Sequence, residues 1–263
     1  MASQLAVQMY TIRDHTRTAA ELASALDRVS AIGYRAVQLS AVGAMNGPAP
    51  EVDAGTARRM LDDRGLRCIA THRSWAELSG STEAEIEFHR TLGCDFTAIG
   101  SVPPGYMEHG PEGFRRFAAD AGPVAERLRA AGIRFAYHNH AFEFMRCGAE
   151  RRTLYDILID EGSRDLLLEL DVYWADHAGV NPVRLLERCT GRMPVIHLKD
   201  KEISPDGEPV MAPIGEGNLD WDGILPACRD AGVEWYAVEQ DECRRDPFDC
   251  LRSSFRFLSD RGL

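Results

Sequence analysis

The chain has no run approaching the roughly 18 consecutive apolar residues that a membrane helix needs, so no membrane span is expected. It also lacks a basic stripe. Thirty basic residues stand against 41 acidic ones, for a formal net charge of −11. That is a poor surface for gripping phosphate backbones, and nucleic-acid binding is not expected. No CxxC pair occurs among the seven cysteines, Cys68, Cys94, Cys147, Cys189, Cys228, Cys243 and Cys250. An odd, scattered set argues for free thiols in a reducing cytosol, mostly as small core residues, rather than for a disulfide frame or a zinc ribbon. The start, MASQLAVQMYTIRD, has no basic segment followed by a long apolar run, so the expectation is a cytoplasmic protein without a signal peptide. No linker or low-complexity stretch divides the 263 residues, and one domain over 1–263 is expected.

What is present is a repeated phrase: an amphipathic helix, a glycine, then a short apolar strand. It occurs as AIGYRAVQLS, DRGLRCIATH, TLGCDFTAIG, AAGIRFAYHN and DAGVEWYAVEQ. Gly33, Gly65, Gly93, Gly132 and Gly232 suit left-handed turns at helix C-termini. The nearly continuous apolar runs after them suit parallel strands buried on both faces. With LAVQMY, LLLELDVYW and MPVIHLKD they give eight strands, near 5–10, 35–40, 67–72, 95–100, 133–139, 166–171, 193–199 and 234–240. Helices are expected between them, for example at 17–32, 111–131 and 221–231. Eight alternating units of this length make a single α/β domain, a (β/α)8 barrel of eight parallel strands. A doubly wound open sheet comes second, weakened because no G-x-G-x-x-G turn follows a strand.

In such a barrel the working groups come from the C-terminal strand ends and the loops after them. Those ends carry Gln8 and Tyr10, Gln38, and His72. They also carry His138, Asn139 and His140 with Glu143, Glu169 and Asp171, His197, Lys199 and Asp200, and Glu239, Gln240 and Asp241. The best metal set is Glu143, Asp171, His197 and Glu239. Three carboxylates and an imidazole suit a divalent, oxygen-preferring cation such as Mn²⁺, Mg²⁺ or Co²⁺, with Zn²⁺ also allowed. Carboxylates gathered at one mouth repel, and a cation holds them ionised together. Each also has a plain structural reading: Glu143 a solvated loop carboxylate, Asp171 a helix cap, His197 a satisfied core histidine, Glu239 a partner of lysine. Lys199 shares a strand face with His197 and is placed to stabilise an oxyanion or to neutralise Asp171 or Glu239. Trp174 and Tyr173 are candidates for a sugar-stacking wall. IGEGNLDW (214–221) reads as a structural or lid-like glycine loop, with Asp220 capping the last long helix. His15, His89, His109 and His177 are read as surface residues.

The phrases VQMYTIRD, YHNHAFEF, LDVYW, VIHLKD, GEGNLDW and VEQD together resemble the xylose isomerase-like TIM-barrel superfamily, in its sugar phosphate isomerase/epimerase branch. The likeness runs from residue 7 to about 241. It implies one catalytic divalent metal, usually manganese, at Asp171, His197 and Glu239, with a first glutamate on strand 5. Relatives that epimerise free ketoses carry that glutamate inside the strand, where this chain has His138, Asn139 and His140. Either Glu143 or His140 then takes the role.

The resemblance implies a metal-dependent isomerase or epimerase acting on a keto sugar or related polyol through a metal-bound enediolate. Glu239 and either Glu143 or His140 would form the acid/base pair, and Lys199 and His72 would polarise oxygens. Gln8, Gln38, Asn139 and Gln240 would read hydroxyls, with His138 and Trp174 lining the sugar site. A β-eliminating lyase or dehydratase on a 3-keto-glycoside or inosose shares the same enolate and is the alternative. A non-catalytic sugar-binding or subunit-scaffolding barrel is the alternative from another class. The expected partner is a small sugar, slightly favoured as unphosphorylated, with a homo-oligomer or a small partner subunit also allowed.

Overall fold

The computed structural model describes residues 4–148 and 151–263. Eight parallel strands form the centre: β1 Leu5–Gln8, β2 Ala36–Leu39, β3 Arg67–His72, β4 Phe96–Ile99, β5 Arg134–His138, β6 Leu166–Glu169, β7 Val195–Leu198 and β8 Trp235–Val238. Their order is β6-β5-β4-β3-β2-β1-β8-β7, with all neighbours parallel. The remaining edges meet where Asp171 bridges His197 and the His197 N–H donates to the Leu170 carbonyl at 2.9 Å. That contact brings the two edges together into a nearly closed (β/α)8 barrel, not the open sheet. It also places two candidate site residues at the seam.

All eight strands fall inside the expected segments, and the expected helices are found as α1 Ala19–Ile32, α2 Gly110–Ala130 and α3 Trp221–Asp230. Strand ends are shorter than the apolar runs. At β1 the Gln8 side chain accepts the Tyr10 N–H and turns the chain into a 3-10 segment, Met9–His15. In α1, Thr18 and Glu21 form a reciprocal capping box, and Leu22, Leu26 and Val29 present one buried stripe to the barrel. Each such side chain stabilises the fold by about 1.5–3 kcal/mol. The five glycines expected in left-handed turns all have φ between 62 and 125°. Asp220 does cap α3, but α3 is not the last long helix, because α4 Pro247–Ser259 follows it.

The interior explains where the site lies. A core distinct from the strand–helix layer is built from Ala6, Ala36, Ala70, Ala98, Ala136, Val195 and Ala237, with Ile69 and Phe96. Side chains repeat every second residue along a strand. The next inward positions toward the C-terminal end are therefore Gln8, Gln38, His72, Gly100, His138, His197 and Glu239. Small apolar residues fill the narrow barrel, and one step later the same face turns polar. Two features were not foreseen. A hairpin pairs Asp200–Ile203 with Pro209–Ala212 after β7. His89 is fully buried rather than at the surface, held by Thr71 Oγ1 at 2.8 Å and the Glu85 carbonyl at 2.7 Å. His15, His109 and His177 are exposed as expected. Among the described residues no helix is long and apolar enough to cross a membrane.

Candidate active site at the barrel mouth

His197 is the hub. Its Nδ1 lies 2.7 Å from Glu239 Oε2, and its Nε2 lies 2.8 Å from Gln38 Oε1 and 3.2 Å from Glu169 Oε2. Glu169, from the end of β6, also accepts from Gln38 Nε2 at 2.8 Å and sits 2.5 Å from His72 Nε2. Lys199 places its ammonium 2.9 Å from Glu239, 2.9 Å from Asp241 and 3.1 Å from Asp171. Asp171 accepts the Trp174 N–H with one oxygen, so it caps the turn Val172–His177 while facing the mouth. The Asn139 side chain accepts the Asp171 backbone N–H at 3.0 Å and fixes that corner.

Burial penalises every charge here, and the outcome depends on partners. It works against a charged His197, but the Glu169 and Glu239 carboxylates outweigh it and push the imidazole up to about 10. Burial is likewise outweighed at Glu169 and Glu239, held far below the usual carboxylate range by His197 and by Lys199 respectively, and Lys199 is held above the usual amine range. Asp241 is pushed up to about 6 by burial and by the Glu239 carboxylate. Burial and the Lys199 charge push His140 down to about 4, so it is neutral at pH 7. Four carboxylates, Glu169, Asp171, Glu239 and Asp241, thus face two cations, and the centre is left short of positive charge.

Two overlapping groups of donors each converge within 4.8 Å: His72, His138, Glu169 and His197, and His138, Asp171, His197 and Glu239. His138 Nδ1 makes no hydrogen bond although fully desolvated. Asp171 Oδ2 has only the Lys199 ammonium nearby, off the hydrogen-bonding direction. Unpartnered buried polar atoms are costly, and a cation among them removes that cost. The donors fit a divalent ion on this observation alone.

Over this floor opens a cleft of about 350 Å³. Of the residues singled out in the sequence, Tyr10, His72, His138, His140, Trp174, Lys199, Glu239 and Asp241 line it. Asp171 and His197 lie buried beneath, with Gln38 and Asn139 acting on them as supports. Gln8 is fully buried, with its Nε2 unpartnered, and the Gln240 side chain turns away to the Glu242 carbonyl. Glu143 belongs to neither donor group. Its oxygens take the Tyr137 hydroxyl at 2.7 Å and the His140 N–H at 2.8 Å. Tyr173 does not line the cleft, which adds Ser40, Ala41 and Gly100.

Asp200 is buried away from the cleft. It accepts from the backbone N–H groups of Lys201, Gly215, Gly217 and Leu219 and from Trp221 Nε1. The glycine loop is therefore fastened as well as turned. A Cβ on Gly217 would lie 2.3 Å from Asp200 Oδ1.

The profile of the xylose isomerase-like TIM barrel family matches residues 26–261. The chain belongs to this family. No curated protein sequence matches it. Among solved structures, a sugar phosphate isomerase/epimerase from Parabacteroides distasonis ATCC 8503 superposes with a TM-score of 0.82 at 20% identity, covering 100% of this chain and 96% of that one. A probable 3-DHS dehydratase, AsbF, of petrobactin synthesis in Bacillus anthracis gives 0.75 at 13% identity over 99% and 100% of the two chains. The IOLI protein with a binding zinc atom gives 0.69 at 14% identity over 98% and 97%. At these identities the likeness is one of fold.

Glu169 is the member of this xylose isomerase-like centre that sequence reasoning left unassigned. It follows three leucines in LLLE, a pattern that also suits a strand ending in solvent. One signal was available: Lys199 and Lys201 are the chain's only lysines amid many arginines. An ammonium retained at one strand end marks a point charge facing several carboxylates.

Proposed function

We propose that this chain is a divalent-metal-dependent isomerase or epimerase of keto sugars. The observation that carries the reading is the convergence of His138, Asp171, His197 and Glu239 within 4.8 Å beneath a polar cleft of sugar size. These four would hold the ion, with His138 in the strand-5 place that the sequence offered to Glu143 or His140. Two carboxylates and two imidazoles accept Mn²⁺, Co²⁺ or Zn²⁺. When bound, the ion supplies Lewis acidity toward a sugar carbonyl and a neighbouring hydroxyl.

The chain's own groups do the proton work. At pH 7 Glu239 is ionised and His140 neutral, so both are in the base form. One removes the proton from the carbon beside the carbonyl, and the electron pair moves onto the carbonyl oxygen. Return of a proton to the neighbouring carbon isomerises the sugar; return from the opposite face epimerises it. The Lys199 ammonium, at the cleft wall, stabilises the negative oxygen. Glu143 acts from behind through its hold on the His140 backbone.

One observation supports β-elimination as a second reading. Asp241 lines the cleft with its carboxyl pushed up to about 6, which leaves a fraction able to protonate a departing oxygen. His140, neutral at pH 7, does not fill that acid role.

Metal removal tests the proposal. EDTA-treated protein should lose activity, and Mn²⁺ at 100 times its Kd should raise stability by about 2.7 kcal/mol. Activity unchanged by chelation would rule the reading out. Solvent deuterium entering intact fructose or tagatose distinguishes isomerisation, whereas release of the aglycone from a 3-keto-glucoside indicates elimination.

A further inference from the structure

The metal cleft does not end at His72. A second cleft of about 450 Å³ lies on the far side, over the loop after β2 and the turn after β3, with Met45, Asn46, Asp53, Arg73 and Glu77 in its wall. His72 belongs to both clefts. A small cavity of about 40 Å³ lies between them, sharing Ser40, Ala41 and His72 with the first cleft and Met45, Asn46 and Phe88 with the second.

The partition is built to stay in place. His72 is fixed by Glu169 at 2.5 Å and stands 3.4 Å from Ser40 Oγ. Gly100 lies against the ring, and a Cβ there would come within 3.3 Å of His72 Nδ1. Ala41, beside it, has φ of 53°, a left-handed conformation that costs an alanine about 1–2 kcal/mol. Strain of this kind persists where the surroundings impose it, often at binding sites.

The lining of the second cleft selects its occupant. The Arg73 guanidinium is taken up by Glu85, at 2.6 and 2.8 Å, and by Glu77 at 3.3 Å, and it lies over the Phe88 ring at 4.5 Å. Asp53 and Glu77 leave the chamber acidic, so a phosphate is repelled. Met45 and Phe88 offer an apolar face, and the exposed Asn46 offers an amide. A neutral, hydroxyl-rich ring fits those groups.

We infer that the substrate is a two-unit glycoside. Its keto ring occupies the metal cleft, a second uncharged sugar unit fills the chamber beyond His72, and the linking bond crosses that histidine. The identity of the reacting end rests on the proposed function; the second chamber does not.

The experiment compares 3-keto-trehalose with methyl 3-keto-α-glucoside on the Mn²⁺-loaded protein, reading both α-carbon solvent exchange and product. The wild type should favour the disaccharide by about tenfold in kcat/KM, equivalent to ~1.4 kcal/mol. Asn46→Trp should abolish that preference, with Asn46→Arg as a second obstruction. Val210→Trp, in the cleft on the opposite side that shares Trp174 and Asp241 with the metal cleft, should leave the preference intact. Equal use of the two probes by the wild type overturns the inference, as does a preference abolished only by Val210→Trp. If neither probe reacts, chemistry on a 3-keto ring is excluded, isomerisation of fructose or tagatose stands on its own test, and calorimetric binding of trehalose against methyl α-glucoside then reads the chamber alone. Weaker trehalose binding in Asn46→Trp supports the second subsite, and equal binding in both proteins refutes it.

Discussion

Replacing Glu143 by glutamine separates the two ways of completing the metal site. Glu143 is fully buried, and burial pushes its carboxyl up to about 7 against the opposing Tyr137 and His140 hydrogen bonds. Glutamine matches the protonated acid in shape. If its oxygen accepts the His140 N–H, its amide faces the Tyr137 hydroxyl oxygen, which already accepts the Val102 N–H at 3.2 Å. The tyrosine proton then loses its acceptor. One buried donor left unpaired costs about 1–3 kcal/mol, or roughly 2–10 °C in Tm for a chain of this size.

The pH dependence sharpens the test. With the folded value above the ordinary 4.5, the native state holds a proton that the unfolded state has released between about 4.5 and 7. Wild-type stability therefore falls as pH rises through that window, by about 3 kcal/mol in total. Glutamine carries no such penalty. Its deficit against wild type should be clear at pH 5 and vanish or reverse by pH 8, as read by urea unfolding at both pH values. Metal affinity, measured by calorimetry, should stay within about tenfold of wild type, whereas His138→Gln should lose more than 100-fold. A Glu143→Gln protein that no longer binds metal beside a His138→Gln protein that does would refute this assignment.

Two other outcomes follow from the packing. Asp200→Asn has one acceptor oxygen where two took five donors, so at least two buried N–H groups go unpaired; the expected loss is roughly 2–5 kcal/mol, checked by chemical denaturation with Trp221 fluorescence as the probe. A value within 0.5 kcal/mol of wild type would deny that this carboxylate fastens the glycine loop. His89, buried mainly against desolvation, is pushed below the ordinary 6.5; its contribution is complete above that value and declines as pH falls below it, so the acid-side fall in Tm should flatten in His89→Gln.

The fold was legible because its signals were local and repeated. Each of the five helix–glycine–strand phrases specifies a turn and a buried run without reference to the rest of the chain, and with three further apolar runs the eight strands leave few ways to close. His89 escaped because its helix carries charged residues on both sides of it in sequence, Glu87 and Arg90. The Thr71 hydroxyl, eighteen positions away, and the Glu85 carbonyl satisfy its ring. The Asp200–Ala212 hairpin escaped because its two short strands carry no alternating pattern.

The site divides along the same line. Asp171, His197, Lys199 and Glu239 each close an apolar strand, so strand polarity alone directed them to one mouth. Which of them meet is a matter of register, and register is not written in any single strand. Asp171 shows this most plainly: one oxygen caps the helix as expected, while the other turns to the Lys199 ammonium, the side on which its proposed site role lies. Glu143 shows the converse. It follows YHNHAF and looks like the outermost ligand, yet Tyr137, two residues before Asn139 and on the outward face of the strand, captures it. A tyrosine hydroxyl at 2.7 Å and a backbone N–H at 2.8 Å offer this carboxyl two good partners where it lies. His138, one step along the inward-facing row from Ala136, leaves its Nδ1 without a hydrogen bond, with Glu169 Oε2 3.5 Å away. That contrast is why the proposed cation site draws on His138 and not on Glu143.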